Sequence, residues 1–98
     1  MSRYFYKYKK SYLKDFDSFD PVDQELIVST VQSIREFLEG GHASKGLGLK
    51  KLYNNGQEQI FEGRVNLSLR IVWVHVGQEV IFIMIGDHNR IRKFLKNI

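Results

Sequence analysis

Cysteine is absent from this chain, and proline occurs only once. The lack of cysteine excludes disulfide bonds, thiolate metal sites and cysteine nucleophiles. No run of apolar residues reaches the length that crosses a membrane, and the first residues lack the apolar segment of a signal peptide. We therefore expect a soluble, cytoplasmic protein with no membrane partner. The 98 residues, of which 43% are hydrophobic, predict one domain over positions 1–98.

Charge is unevenly distributed along the chain, although the net charge is only +4. Positions 15–39 contain seven acidic residues and one arginine, a net charge of −6, so the remaining residues carry +10. The basic remainder should present a positive surface, which suits a polyanion because Lys and Arg supply most non-specific affinity for nucleic acid. The simpler alternative is that these lysines only keep the domain soluble.

The first forty residues predict a strand followed by two helices. The tyrosines at positions 4, 6 and 8 alternate with other residues in the period of a strand, and Ser11 is placed to cap a first helix. Asp20 and Pro21 predict the start of a second helix that runs to about Glu39, because aspartate accepts from free N–H groups and proline has a helical φ. Gly40 should end it.

The second predicted helix has one apolar face. Ile27, Val31, Ile34 and Leu38 follow one another at steps of 4, 3 and 4, so that face should be buried. We expect the two helices to lie antiparallel on one side of a sheet.

The segment 40–48 contains four glycines and is predicted to be a loop. It is either a plain connector or a loop that brings His42 or Lys45 to a substrate groove. A short strand over 49–53 follows and carries Lys50 and Lys51.

The rest of the chain predicts three strands and a basic C-terminal helix. The last two strands are joined by Gly77-Gln78, which is typical of a type II′ turn and fixes their register. In this register Val72 lies opposite Ile83, and Arg70 lies opposite Ile85 and diagonally beside Asp87. The opposite face of these strands should pack against the helices, and it carries Leu69, Ile71, Trp73, Val80, Phe82 and Met84.

The loop around Asn66 decides where two further charges lie. An odd number of loop residues places Glu62 and Arg64 on the face of Arg70, whereas an even number turns them into the core beneath the helices. Unpaired charges are costly in a core, so we expect the odd loop. Glu62, Arg64, Arg70 and Asp87 would then share one face, with His88 at the end of the strand.

Two segments resemble the RelE/ParE superfamily of toxins from type II toxin–antitoxin systems: Glu-Gly-Arg-Val-Asn-Leu-Ser-Leu-Arg-Ile-Val-Trp-Val and Ile-Gly-Asp-His-Asn-Arg. The resemblance covers nearly the whole chain and is closest to the histidine-bearing YafQ-like and YoeB-like members, because His88 matches their strand-end histidine. It implies an α+β fold with a small antiparallel, mixed-edge sheet of four to five strands, two N-terminal helices on one face and a short C-terminal helix.

The resemblance also implies a function, a ribosome-dependent mRNA endonuclease (an mRNA interferase) that needs no metal or other cofactor. Arg70 matches an arginine that contacts the scissile phosphate, and His88 can act as acid or base because its unperturbed pKa lies near 6.5. Arg64 would assist, Glu62 is a candidate base, and Asp87 would orient His88 or pair with Arg70. Among the basic residues, RNA contacts are expected from Lys45, Lys50, Lys51 and Arg90.

Other outcomes stay open. Arg64 could instead form a structural ion pair with Glu62, and His88 could be a capping or surface residue. No spacing of His, Asp and Glu predicts a metal site. The expected partners are a cognate antitoxin, the ribosome and mRNA. The alternatives are a ParE-like toxin that inhibits DNA gyrase without catalysis and a RelE-fold protein without nuclease activity.

Overall fold

The computed structural model describes residues 2–42 and 45–98. Within these residues the structure has five strands, three α-helices and one turn of 3₁₀ helix, in this order: β1 (Phe5–Tyr8), α1 (Lys10–Asp17), α2 (Pro21–Leu38), the 3₁₀ turn (Lys45–Leu47), β2 (Lys50–Asn54), β3 (Glu58–Arg64), β4 (Arg70–Val76), β5 (Glu79–Gly86) and α3 (His88–Lys96).

The five strands form one sheet in the order β1-β5-β4-β3-β2. The strands β2 to β5 are antiparallel neighbours, whereas β1 pairs in parallel with β5 at the edge. This is the predicted α+β architecture with a mixed edge. Among the residues that the structure describes, no helix is long and apolar enough to span a bilayer.

Local chemistry explains the ends of α2. The side chain of Asp20 accepts a hydrogen bond from the backbone N–H of Asp23 at 2.9 Å, and Pro21 occupies the first helical position. After the helix, Gly40 has a φ of +104°, a conformation that costs glycine little. Both predicted helix boundaries are therefore confirmed.

One face of the sheet, here called the α1/α2 face, packs against the two N-terminal helices. Ile27, Val31 and Ile34 of α2 are buried there, as the spacing predicted. The buried residues that they meet on the sheet include Ile71, Trp73, Val80, Phe82 and Ile85.

The opposite face, here called the α3 face, packs partly against the C-terminal helix. Its buried residues are Ile60, Val72, Ile83 and Met84, together with Ile91 of α3. The sheet therefore separates two small cores, one between the sheet and the helices α1 and α2, and one between the sheet and α3.

The predicted register of β4 and β5 is correct near the turn and wrong beyond it. Gly77 has a φ of +58° and Val74 pairs with Ile81, as the type II′ turn requires. A β-bulge follows, because Trp73 pairs with Phe82 while Val72 pairs with Met84. Ile83 is the additional residue, and the pairing beyond it is shifted by one position.

Because of the bulge, three predictions are wrong. Arg70 pairs with Gly86 and not with Ile85, so the diagonal placement of Arg70 beside Asp87 is wrong. Met84 lies on the α3 face, where Ile83 also lies, while Ile85 packs on the α1/α2 face. The physical reason is found at the edge of β5, where α1 takes the place of β1.

At that edge, β1 pairs with β5 only as far as Phe82, and the backbone N–H of Lys9 then donates to the carbonyl of Phe82 at 2.9 Å. The hydroxyl of Ser11 donates to the carbonyl of Ile83. The predicted cap by Ser11 is therefore wrong: the N-cap position of α1 is Lys9, and the Ser11 hydroxyl instead satisfies the backbone of the bulge.

Candidate functional site

The loop between β3 and β4 has five residues, so the odd loop is confirmed and Arg64 pairs with Arg70 across the two strands. The side chain of Asn66 closes this loop, because its Oδ1 accepts from the backbone N–H groups of Ser68 and Leu69 at 2.8 and 2.9 Å. Glu62 and Arg64 therefore lie on the α3 face with Arg70, as the cost of burying unpaired charge predicted.

Glu62 forms its ion pair with Arg70 and not with Arg64. The Nε atom of Arg70 lies 3.1 Å from Oε2 of Glu62, and the two side chains are only 20% and 11% exposed. Arg64 is exposed and forms no ion pair within the described ranges 2–42 and 45–98. The pair therefore holds the Arg70 guanidinium beside Glu62 through its Nε atom.

These residues lie at one end of the sheet, here called the site end, where β3 and β5 finish and β2 and β4 begin. Arg64, Arg70 and Gly86 are consecutive partners across β3, β4 and β5. Lys50 begins β2 opposite Glu62 on the same face. Adjacent strands lie about 4.8 Å apart, so three cationic side chains occupy a strip roughly 10 Å wide.

His88 adjoins this strip at the start of α3, two residues beyond Gly86. Its side chain is exposed and forms no hydrogen bond with any described residue. Asp87 is the N-cap of the same helix: its Oδ1 accepts from the backbone N–H of Arg90 at 2.9 Å. Asp87 therefore neither pairs with Arg70 nor bonds to His88, and its carboxylate fixes the first turn of the helix.

Arg90, which was predicted to contact RNA, is held in a local network. Its Nη1 donates to the carbonyl of Ile85 at 2.7 Å, and its Nη2 lies 2.8 Å from Oδ1 of Asp15. The stem of Arg90 passes over Gly86, where an added Cβ would lie 3.0 Å from Cδ of Arg90. These contacts give the guanidinium a structural role at the end of β5.

The other predicted RNA contacts divide between the two faces. Lys50 lies on the α3 face, whereas Lys51 pairs with Phe61 and places its Nζ 5.6 Å from the centre of the Phe61 ring, on the α1/α2 face. The side chain of Lys45 lies outside the described part of the chain. His42 is exposed in the preceding loop.

Asp15 is the residue that the sequence did not reveal. Its Oδ2 accepts from the backbone N–H of Ile85 at 3.0 Å while its Oδ1 contacts Arg90, and the side chain is only 12% exposed. In the sequence it is one acid among seven in an acidic segment. The available signal was its spacing of four from Ser11, which places both side chains on one side of α1.

Perturbed ionisable groups lie away from the site end. Burial and a hydrogen bond to Glu39 raise the pKa of Tyr6 to about 12, while hydrogen bonds from Ser2, Tyr6 and the Arg3 backbone lower the pKa of Glu39 to about 2. Burial against neighbouring rings also lowers the pKa of His75, whose ring centre lies 4.9 Å from that of Tyr4.

The Tyr6 and Glu39 pair borders a cavity of about 870 Å³ between α1, α2 and β1. A second cavity, of about 630 Å³, lies between the sheet and α3, and its walls include Ile60, Val74, Met84 and Phe94. Within the described residues, no group of three or more His, Asp or Glu is arranged to hold a metal ion.

Comparison with known proteins shows the fold at low sequence identity. The sequence matches no protein-family model. No curated protein sequence matches it either. A RelE–RelB complex from Pyrococcus horikoshii OT3 superimposes with a TM-score of 0.67 and 15% identity, over 90% of this chain and 98% of that chain.

Two further similar structures are those of YoeB and YafQ proteins, the names to which the sequence resemblance pointed. A YoeB dimer from Staphylococcus aureus has a TM-score of 0.65 and 15% identity, over 89% of this chain and 99% of that chain. YafQ from Escherichia coli BL21(DE3) has a TM-score of 0.61 and 10% identity, over 90% and 97%. The chain therefore has the fold of the RelE, YoeB and YafQ proteins, which confirms the fold that the sequence resemblance implied.

Proposed function

We propose that this protein is the toxin of a type II toxin–antitoxin system and acts as a ribosome-dependent mRNA endonuclease that needs no metal. The observation that carries the proposal is the site end, which gathers Lys50, Arg64 and Arg70 on one face with His88 beside them. Metal-free cleavage of a phosphodiester uses cations that bind the phosphate and a side chain that transfers a proton, and this set of residues offers both.

In the proposed reaction the 2′-hydroxyl of the RNA attacks the adjacent phosphorus, and the bond from phosphorus to the 5′-oxygen breaks. His88 donates a proton to the departing 5′-oxygen, because an imidazolium can give up a proton near neutral pH. The products are a 2′,3′-cyclic phosphate and a 5′-hydroxyl. Arg70 and Arg64 bind the phosphate oxygens, whose charge increases in the transition state.

Glu62 has two roles in this scheme. Its Oε2 lies 3.1 Å from Nε of Arg70, and the terminal nitrogens of that guanidinium are the proposed donors to phosphate. Its Oε1, which has no hydrogen bond among the described residues, is the proposed acceptor of the proton from the 2′-hydroxyl. Asp87 contributes through the cap that fixes the turn bearing His88.

The test is to map RNA 5′ ends in bacteria after brief induction of the wild-type protein and of His88→Ala. We expect cuts within translated messages for the wild type, and a loss of about 10²–10⁴ in cleavage rate for the variant, which is the usual contribution of an acid or base. Because His88 is exposed, its substitution should leave the fold intact. Uncut messages together with a DNA-damage response would refute the endonuclease and favour gyrase inhibition.

The proposed antitoxin partner would bind on the α3 face. The cavity between the sheet and α3 is lined mainly by apolar side chains, including Ile60, Ile81 and Phe94. An amphipathic segment of the antitoxin that replaced or covered α3 would bury this surface. The P. horikoshii neighbour was solved as a RelE–RelB complex, which supports a partner of this kind.

Substitution at this cavity provides the test of the partner site. Ile81→Glu should weaken binding of the cognate antitoxin by tenfold or more, because a charge would face an apolar surface. Val28→Glu, at an exposed position of α2, is the matched control and should bind normally. Equal affinity of both variants in calorimetry would place the antitoxin elsewhere.

A further inference from the structure

Three side chains connect α1 to the end of β5 and to the first turn of α3. Ser11 donates to the carbonyl of Ile83, and Asp15 accepts from the N–H of Ile85 at 3.0 Å. Arg90 completes the connection, with Nη2 at 2.8 Å from Asp15 and Nη1 at 2.7 Å from the carbonyl of Ile85.

Asp15, Arg90 and Ile85 thus form a closed ring of polar contacts. The carboxylate and the guanidinium bind one another, and each also binds one backbone group of Ile85. Since β1 pairs with β5 only as far as Phe82, Ile85 has a neighbouring strand on the β4 side and none on the opposite side. Breaking the ring would leave a partly buried carboxylate without its cation. Leaving such a group without a partner costs free energy.

The ring includes Arg90 of the helical turn that bears His88. Arg90 lies two residues after His88 in the same helical turn, and its backbone N–H is bound by the cap residue Asp87 at 2.9 Å. The turn is therefore held through the backbone by Asp87 and through the Arg90 side chain by Asp15. The imidazole of His88 has no hydrogen bond of its own among the described residues, so its placement depends on the turn that carries it.

We propose that Asp15 and Arg90 are positioning residues for His88, acting through the first turn of α3. The proposal rests on the proposed function in one respect: the consequence for catalysis requires that His88 is the acid. The expected effect on the position of the imidazole does not depend on the proposed function. Misplacement of a catalytic group by about 1 Å can cost about 10²-fold in rate, so loss of the ring should reduce kcat.

The first experiment observes the imidazole directly. The imidazole signals of His42, His75 and His88 are assigned by NMR and compared in the wild type, Asp15→Asn and Arg90→Gln. We expect the His88 signals to shift or broaden in both variants while those of His75, within the sheet, stay in place. Arg92→Gln removes an equal charge from an exposed position of the same helix and should change none of them.

The second experiment measures single-turnover cleavage on programmed ribosomes. We expect Asp15→Asn and Arg90→Gln to lower the rate at saturation about 10- to 100-fold, with half-saturation changed less than about twofold. Arg90→Lys should recover part of the rate, because lysine keeps the charge but reaches only one of the two partners. Because Arg90→Lys keeps the charge, we expect it to stay folded even if one of the other variants unfolds.

The outcomes separate the two ideas. An unchanged His88 signal in a folded Asp15→Asn or Arg90→Gln variant overturns the positioning role, whatever the activity. A wild-type protein that cleaves no RNA overturns the proposed function, while a displaced His88 signal would still establish positioning. Normal cleavage by Arg90→Gln, with wild-type cleavage present, overturns the positioning role and leaves the function standing.

Discussion

Glu62 and Arg70 show how one ion pair serves both the fold and the proposed site. The Glu62 side chain is only 11% exposed, which is unusual for a carboxylate, and Nε of its partner Arg70 lies 3.1 Å away. Removing one member of a well-buried pair leaves the other charge without compensation, and this costs more than the pair itself contributes. Activity lost in a variant of Arg70 must therefore be separated from lost stability.

We predict that Arg70→Met lowers the free energy of unfolding by about 2–3 kcal/mol, because Glu62 then stays buried without its cation. Adding Glu62→Gln should recover most of that loss, since a neutral amide is less costly to bury. Urea denaturation of the wild type, both single variants and the double variant measures the coupling. Additive effects of the two substitutions would contradict a direct interaction.

Gly86 is required for a steric reason. A Cβ there would lie 3.0 Å from Cδ and 3.3 Å from Cβ of Arg90, so the arginine stem must move. We predict that Gly86→Ala lowers the thermal midpoint by several degrees, through loss of about 1–2 kcal/mol. Gly46→Ala is the control, because an added Cβ there meets nothing within 4 Å. Equal midpoints for the two variants would show that Arg90 adapts freely.

At the scale of elements, helix α1 takes over the edge of β5 where β1 ends. The Ser11 and Asp15 side chains supply backbone contacts that a strand would otherwise make. A bulge is compatible with this replacement, since its extra residue has no partner in the ladder. The change of neighbour from strand to helix thus coincides with the change of register in β5.

The structure around this edge of β5 has features that the sequence could predict and features that it could not. The start of α2 at Asp20 and the turn at Gly77 follow from local chemistry, and both were predictable. The bulge depends on contacts between residues about seventy positions apart, such as Asp15 and Ile85, which no local pattern encodes. The site shows the same division: loop parity followed from burial cost, whereas the choice of Arg70 over Arg64 as partner of Glu62 did not.

Glu39 fastens the start of β1 to the end of α2. Its oxygens lie 2.7 Å from the Tyr6 hydroxyl and 2.6 Å from the backbone nitrogen of Arg3. The guanidinium of Arg35 lies 4.2 Å above the Tyr6 ring and completes the cluster. These bonds favour the ionised carboxylate, which is why its pKa is lowered to about 2.

We predict a corresponding pH dependence of stability. A carboxyl group whose pKa falls from 4.5 to about 2 on folding stabilises the protein above pH 4.5, and this contribution is lost as the pH drops toward 2. Glu39→Gln should therefore lose less stability than the wild type over that interval, as measured by urea midpoints. Glu25→Gln, at an exposed position of the same helix, should follow the wild-type curve.

At the scale of the whole molecule, the two faces of the sheet differ in the charges that they offer. Lys50 lies on the α3 face with the arginines, whereas Lys51 lies over Phe61 on the opposite face. The two lysines are neighbours in sequence and have the same charge. They are consequently a matched pair for asking which face meets RNA.

We predict that Lys50→Gln reduces the salt dependence of binding to a single-stranded RNA oligonucleotide, and that Lys51→Gln does not. Each phosphate contact contributes about 0.7 to the slope of log affinity against log salt, so the slope of the Lys50 variant should fall by about that amount. Fluorescence anisotropy across a salt series measures it. A smaller slope for the Lys51 variant would instead place RNA binding on the α1/α2 face and contradict this prediction.

The parallel pairing of β1 with β5 also constrains the order in which the chain can fold. Phe5 pairs with Glu79 and Tyr8 with Phe82, whereas β2 to β5 are joined by turns between neighbours in sequence. The meander can form from short-range contacts, but β1 has no strand to pair with until position 82 has been synthesised. During translation the first strand therefore stays unpaired until the whole segment through β5 has been made.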